Sequence, residues 1–446
     1  MDQDAAGNAL AAALNGLQTR AGETALPRAY YTGKHRTRLH SDKFTNPHRA
    51  VIEGIRDNQC RKVVELTVDR LTVSGFTADD PADELYAARA WDIWQHSRMD
   101  LRLDQWLRGS EITGQPAAIV VDVDSSGQTH FYPKQPEDMW VRTSTVNPAR
   151  AVYAVALWQD DADRRHATVY TDGDQHYIYT GPGANEQNSA DRYVLTNEVP
   201  NPIPGICPVF TAATGYTDLT DVIPLQDLLN AELQRGAVAG EYYSLITRVY
   251  LGYELEEDPE TGQLVEPFGI SDRQLFLPDT ATDVKDLPGQ DPRPFLDAAS
   301  AHRQAIASAT STPAYLLTSG QDYPSGAARR TAEAGFTAKI RNRQKLYGAA
   351  LGDAAAYAVA LDALATAGTT IATPGLTCQW EPVDVSDTPA QPSVADLSAM
   401  GVPLASLLTR YLGWTQEAAD EAQAAAEAAH AEQAAANAAF GMPPAV

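Results

Sequence analysis

Residues 218–347 constrain this chain more than any other stretch. A long helical pattern, DLTDVIPLQDLLNAELQRGAVAGEYYSLIT, leads into an acidic segment of short strands and turns. A second helical pattern follows, FLDAASAHRQAIASAT, then the break STPAYLLTSGQDYPSG and a basic helix, AARRTAEAGFTAKIRNRQKLY. In the first helix Asp218, Thr220 and Asp221 are candidate N-caps, and Pro224 is tolerated only because it falls in the first turn. Val222, Leu225, Leu229 and Leu233 make one apolar face, which Leu228 widens. At about 1.5 Å per residue this helix reaches roughly 40 Å. Residues 251–291 hold eleven Asp or Glu against Arg273 and Lys285, and VYLGYEL, RQLFLP and DVKDL read as strands. The basic helix sets Arg329, Arg330, Lys339, Arg341, Arg343 and Lys345 against Glu333 alone. Two helices holding out an acidic lobe, with a loop and a basic helix behind them, describe a mechanical part better than a catalyst.

The rest of the chain bounds the function by composition. Its 446 residues suffice for two to four domains, and 44% apolar with 21% charged residues are globular proportions. A formal net charge of −24 disfavours sustained sequence-specific DNA binding, which usually carries an excess of Lys and Arg. Cys60, Cys207 and Cys378 are far apart and odd in number, so neither a disulfide framework nor a zinc site is expected. The opening MDQDAAGNAL lacks the regions of a signal peptide, and no apolar run approaches the roughly 18 residues of a membrane span. The expectation is a soluble protein made in a reducing cytoplasm.

Along the chain, residues 1–45 read as polar and irregular, with a small helix around Ala5–Leu17. Helical spacing covers Pro47–Leu71 and Ala82–Gly114, the latter with Leu85, Trp91, Trp94, Leu103, Trp106 and Leu107 as its core stripe. Between 117 and 197 the period changes to that of β-strands, an antiparallel meander of about six. Pro200, Pro202, Pro204 and Pro208 form a stiff connection. The basic helix continues in an Ala-rich stretch to about Ala367, residues 370–389 form a strand and loop with Trp380, and an Ala-rich tail closes the chain.

Signatures of chemistry are missing. There is no GxxxxGK[ST], and Gly181-Pro182-Gly183 reads as a turn rather than a nucleotide loop. Asp122–Gly127 begins like a calcium loop, but Pro133 stands at its twelfth position, so a hairpin turn is expected. No GxSxG surrounds Ser325, which reads as the N-cap of the basic helix. Glu53, Glu65 and Asp69, with Arg56, Arg61 and Arg70 nearby, read as a solvated charged face. No catalytic, cofactor-binding or metal residue and no cofactor is expected. The cations of the basic helix either pair with acids of the same chain or an adjacent subunit, or line a surface passed by phosphates.

Several segments, in order, resemble the Gp6-like portal proteins of tailed bacteriophages, the family named for phage SPP1. They are NPHRAVIEGIRDNQCRKVVELTVDRLTVSGF, AWDIWQHSRMDLRLDQWLRGSEITGQPAAIVVDVD, NPIPGICPVF, GYTDLTDVIPLQDLLNAEL, IASATSTPAYLL, YPSGAARRTAEAGFTAKIRNRQKLYG and WEPVDVSDTPAQPSVADLSAMGVPLASLLTRYLGWT. The resemblance spans about 45–415 and implies an α+β portal fold assembling into a dodecameric ring at one capsid vertex. By it, residues 1–217 and 327–384 are wing, 218–247 and 294–312 stem helices, 248–293 clip, 313–326 tunnel loop, and 385–446 crown and tail. It implies that Leu317, Thr318, Ser319, Gly320, Gln321, Asp322 and Tyr323 lie near DNA, and that Glu254, Glu256, Glu257 and Asp258 dock a partner. It implies that Arg329, Arg330, Lys339, Arg341, Arg343 and Lys345 contact a neighbouring subunit or guide DNA, the neighbour being preferred. The implied partners are further copies of the chain, double-stranded DNA read without sequence specificity, the terminase large subunit, a head–tail adaptor, and major capsid and scaffolding proteins, with no membrane. The implied setting is the virion, after assembly in the host cytoplasm. Another virion assembly or connector protein is the nearest alternative, and a soluble enzyme with a non-motif site a remote one.

Overall fold

The computed structural model describes residues 1–35, 52, 54–240, 247–252, 259, 274–277, 283–287, 291–318, 326–383 and 423–424. The chain divides into two compact units, Met1–Glu381 and Pro382–Val446. In the second unit 423–424 are helical. The crown expected from 385 onward otherwise lies outside the described residues.

The first unit opens with α1, Gln3–Tyr31, started by the Asp2 carboxylate, which accepts from the Ala5 N–H at 2.8 Å. It is far longer than the short helix expected. Its buried stripe of Ala6, Ala9, Leu10, Ala13 and Leu14 packs on Val155, Ala167, Val169, Tyr177 and Tyr179. A stripe made largely of alanine carries little hydrophobic contrast, so the pattern is faint in sequence although the spacing is helical. Small residues let this helix lie close to its sheet, and a Cβ added at Gly16 would stand 2.4 Å from the Trp140 ring.

The expected meander divides into two sheets. Strands β4 (Met139–Thr143), β5 (Ala151–Gln159), β6 (Arg164–Thr171), β7 (Gln175–Gly183) and β8 (Val194–Pro200) form a five-stranded antiparallel sheet in sequence order. Strands β2 (Ala117–Val123) and β3 (Thr129–Lys134) form a separate sheet with β9 (Val209–Ala212), in the order β3-β2-β9. The unbroken run Ala117–Val121 is buried throughout, which suits a central strand flanked on both edges better than one end of a meander. The β2–β3 turn is the expected hairpin: the Asp124 carboxylate accepts from the Ser126 and Gln128 N–H groups at 2.8 and 3.0 Å. Gly181-Pro182-Gly183 ends strand β7 instead of forming a turn.

Three shorter helices cover this core: α2 (Gln59–Val68), α3 (Glu84–His96) and α4 (Met99–Thr113). The 82–114 pattern breaks at Arg98, whose φ of 52° lies in the left-handed region. Trp94 and Trp106 are fully buried as expected, but Leu85 is 78% exposed and leaves the stripe. Glu65 does not sit on a solvated face either. It pairs with Arg108 at 2.9 Å and accepts from the Tyr31 hydroxyl, tying α2 to α4 and α1. Glu53 lies outside the described residues.

The long helix α8, Gly326–Ala367, runs as far as the sequence suggested. Its stretch Thr331–Ala367 is long and apolar enough to cross a membrane, contrary to expectation. Residues 354–361 are buried and the helix packs against β2, β9 and β13 (Leu376–Trp380), so it serves as a core helix. Strand β13 pairs antiparallel with β1 (Val73–Ala78), a strand the local pattern does not announce.

Candidate functional site

The region picked out in sequence folds into a helical hairpin and its base. Helix α5 spans Leu219–Val238, continuing in a wider π-type turn at 239–240, and α6 spans Arg293–Ala309. They run antiparallel. Gly236, near the end of α5, would bring an added Cβ to 3.2 Å from Phe295 at the start of α6, so glycine permits the close approach. Between them in sequence lie the three expected strands: β10 (Thr247–Leu251), β11 (Gln274–Leu277) and β12 (Asp283–Leu287). β10 is central, parallel to β11 and antiparallel to β12. Thr247, expected at the end of the helix, opens a strand instead. Glu254, Glu256, Glu257 and Asp258 lie outside the described residues.

The inward face of α5 differs from the apolar one expected. Val222 and Leu229 are buried, but Leu228 is 39% exposed, and Gln226, Asn230 and Gln234 are all buried at four-residue spacing. This amide row serves the irregular segment 54–58 before α2. Gln226 Oε1 accepts from the Gln59 N–H at 2.8 Å and the Cys60 N–H at 3.3 Å, while its Nε2 donates to the Asp57 carbonyl at 2.5 Å. Asn230 Oδ1 accepts from the Asp57 N–H at 3.2 Å, and Gln234 Nε2 donates to the Ile55 carbonyl at 3.3 Å. Backbone groups that no helix or sheet satisfies are thus paired by one helix face. The Asp57 carboxylate then meets Arg303 of α6 at 2.7 Å, so both hairpin helices hold the same segment. Apolar periodicity does not detect such a row. Three amides at i, i+4 and i+8 were the available signal.

At the base, α8 crosses the feet of the hairpin. Lys339 pairs with Asp218, the residue before α5, and donates to the Thr310 carbonyl that follows α6, at 3.2 Å. Asp218 occupies the expected capping position but makes no side-chain cap bond; its carboxylate goes to Lys339 instead. One helical turn on, Arg343 lies 3.0 Å from Glu111 of α4, which also accepts from the Tyr347 hydroxyl at 2.7 Å. Arg343 stacks over the Tyr216 ring at 5.0 Å. Burial pushes the Glu111 carboxyl up, against the pull of Arg343 and the Tyr347 hydroxyl. Lys339 and Arg343 therefore each meet an acidic side chain of the same chain. Arg341 and Lys345 are exposed, and Arg329 and Arg330 lie in the first turns of α8.

The loop expected over 313–326 begins as a short helix, α7, Ala314–Leu317. Leu317 is 1% exposed, and the Thr318 hydroxyl donates to the Ala314 carbonyl at 2.9 Å. Ser319, Gly320, Gln321, Asp322, Tyr323 and Ser325 lie outside the described residues. Among the described residues no group of three His, Cys, Asp or Glu side chains is placed to hold a metal.

The family model for phage portal proteins of the SPP1 Gp6-like type matches residues 14–432. The chain belongs to that family. No curated protein matches this portal chain in sequence. Solved structures similar to it include the neck of an empty gene transfer agent (GTA) particle computed with C6 symmetry, at 12% identity and a TM-score of 0.42, covering 92% of this chain and 96% of that one. The neck of a native GTA particle computed with C12 symmetry matches at 11% identity and 0.41, covering 94% and 100%. An HK97 family phage portal protein from Corynebacterium diphtheriae matches at 11% and 0.31, covering 79% and 99%. Likenesses at this level carry no weight beside the family match.

Proposed function

We propose that this chain is one subunit of a dodecameric ring at a single capsid vertex. In this reading the ring passes double-stranded DNA during packaging and ejection, and docks the terminase large subunit and later a head–tail adaptor. Major capsid and scaffolding proteins surround it in the virion, and assembly takes place in the host cytoplasm. The α5–α6 hairpin is the stem, the β10–β12 sheet the clip, residues 313–326 the tunnel loop, and residues from 385 onward the crown. The observation that carries the reading is an antiparallel helical hairpin with a small sheet inserted between its helices, in a chain of the portal family.

The chemistry of the parts supports it. Duplex DNA presents a charge every ~1.7 Å of axis, and a channel that gripped phosphates strongly would stall it. A chain with a formal charge of −24 makes a poor grip and a good sleeve. Rings need two different complementary patches on each subunit rather than a self-contained site. Electron microscopy of the purified protein tests this. Rings with an axial hole are expected, whereas a compact monomer that turns over a substrate panel overturns the reading. Deletion of Leu317–Tyr323 offers a second test of the loop, with intact rings and impaired DNA packaging expected, and monomers contradicting it.

A further inference from the structure

The end of α1, the residues just after it and segment 54–58 all meet beside α5. Past the end of α1, Gly33 at φ 73° turns the chain back in the left-handed region. The His35 ring thereby stacks on Tyr30, with centroids 3.9 Å apart and planes within 7°. Asn58 Nδ2 donates to the Tyr30 and Tyr31 carbonyls at 3.0 and 2.9 Å, and the Tyr30 hydroxyl donates to Asp227 of α5 at 2.7 Å. His35 is 4% exposed, and its Nε2 lies 3.1 Å from Asn230 Nδ2.

The direction of hydrogen bonding at this joint is set by the backbone. The Gln59 and Cys60 N–H groups can only donate, so Gln226 turns its oxygen to them and its Nε2 away. That Nε2 donates to the Asp57 carbonyl and, at 3.1 Å, to Asn230 Oδ1, which also accepts from the Asp57 N–H. Both contacts hold the Asn230 oxygen on their side, so its NH2 group faces His35. The imidazole Nε2 is therefore the acceptor, and the neutral ring carries its proton on Nδ1. A second proton would set an N–H against the Asn230 NH2 group, donor to donor, with the ring held flat on Tyr30. Relief requires Asn230 to turn, which breaks its bonds to Gln226 and the Asp57 N–H.

We propose that His35 is a pH-sensitive latch between the end of α1 and the hairpin helix α5. Neutral, it accepts from Asn230 and completes the chain of bonds that starts at Gln59. Protonated, it opposes Asn230, and α5 loosens its hold on the end of α1 and on segment 54–58. Among the described residues, each element packed on the ring brings a group that bears on its charge. Burial first, then Arg56 of the segment, disfavour the cation, while Asp227 of α5 and the Ala29 carbonyl of α1 favour it; the balance lowers the pKa from 6.5. Asp57 beside them is paired with Arg303 of α6 at 2.7 Å. Above pH 6.5 the ring is neutral with the latch shut or open. Below that value the open latch takes the proton first, so falling pH opens it. The inference goes beyond the portal reading and does not depend on it.

Hydrogen exchange followed by mass spectrometry on the full-length protein tests this at pH 7.5 and 5.5. Rates are corrected for the intrinsic pH dependence of exchange, and the buried residues 354–361 of α8 serve as the internal reference. Wild-type protection of residues 54–60 is expected to fall at pH 5.5 relative to that reference, by up to about tenfold, the limit one proton sets for one pH unit. His35→Phe keeps a ring on Tyr30 and does not titrate, and is expected to show equal protection at both values. Asn230→Asp keeps the oxygen that serves Asp57 and Gln226 and offers His35 a second one that accepts. The protonated ring is then held, and the loss is expected to vanish or reverse. Unchanged wild-type protection, or the wild-type loss in either variant, overturns the proposal. If His35→Phe fails to fold, the Asn230→Asp comparison decides alone.

Discussion

Arg343 of α8 faces Glu111 of α4 at 3.0 Å, with both side chains less than one-tenth exposed. This pair joins α8 to α4 one helical turn from the base of the hairpin. A buried pair is not in itself a large source of stability, because desolvation of both charges offsets their attraction. Removing one partner is costly, because the other charge is then buried alone. Glu111→Gln or Arg343→Met is expected to destabilise by roughly 3–5 kcal/mol in urea unfolding. The double variant Glu111→Leu with Arg343→Met is expected to recover most of that loss. Equal losses for the single and double variants would refute the pair's role.

The amide row of α5 makes a second prediction. Gln226→Ala leaves the Cys60 N–H without its acceptor and the Gln59 N–H and Asp57 carbonyl with only each other, at 3.1 Å. Each buried group so orphaned costs about 1–3 kcal/mol. Hydrogen exchange at Gln59 and Cys60 should accelerate in the variant while exchange in the five-stranded sheet stays unchanged. Exposed Leu228→Ala on the same helix is the control, and its effect should be small.

Gly16 sets two effects against each other. Replacing a helical glycine by alanine ordinarily stabilises by about 1 kcal/mol. Here the added Cβ would stand 2.4–2.6 Å from three atoms of the Trp140 ring, which Arg20 covers at 4.8 Å. Overpacking of this kind costs typically 1–3 kcal/mol, so Gly16→Ala is expected to lower the melting temperature. Combining it with Trp140→Leu should restore the alanine's helical advantage.

His176 predicts a pH dependence. Burial lowers its pKa in the folded protein to about 4, against the ordinary histidine value of 6.5. Above 6.5 neither state binds the extra proton. Between 6.5 and 4 only the unfolded state does, so stability falls with falling pH through that window, by roughly 3 kcal/mol in full. Below about 4 this contribution stays constant. Chemical denaturation from pH 7.5 to 4 should show the slope in wild type and a shallower one in His176→Phe.

Much of the hairpin was legible because its signals are local. Two helical patterns, three β-rich pieces and a charge reversal all lie in consecutive sequence, although the first helix ends short of the residue 247 expected. The misses share one physical cause, which is that their partners are remote. β1 is a strand because Leu376–Trp380 lies beside it, and β2 leaves the meander because Val209–Ala212 claims its second edge. Of the basic helix, the spacing told how many cations there are but not where they point. Lys339 and Arg343, four apart, turn inward to Asp218 and Glu111, while Arg341 and Lys345 face out. The buried row of Gln226, Asn230 and Gln234 escaped an apolar-stripe reading because its work is to satisfy backbone, not to exclude water.

Lys339 reaches the first residues of one hairpin helix and the last carbonyl of the other. The hairpin is therefore held at its feet by α8 and along its length by the segment before α2, through Gln226, Asn230 and Gln234 of α5 and Arg303 of α6. A push on either helix is thus shared between two separate anchorages and is not borne by the feet alone.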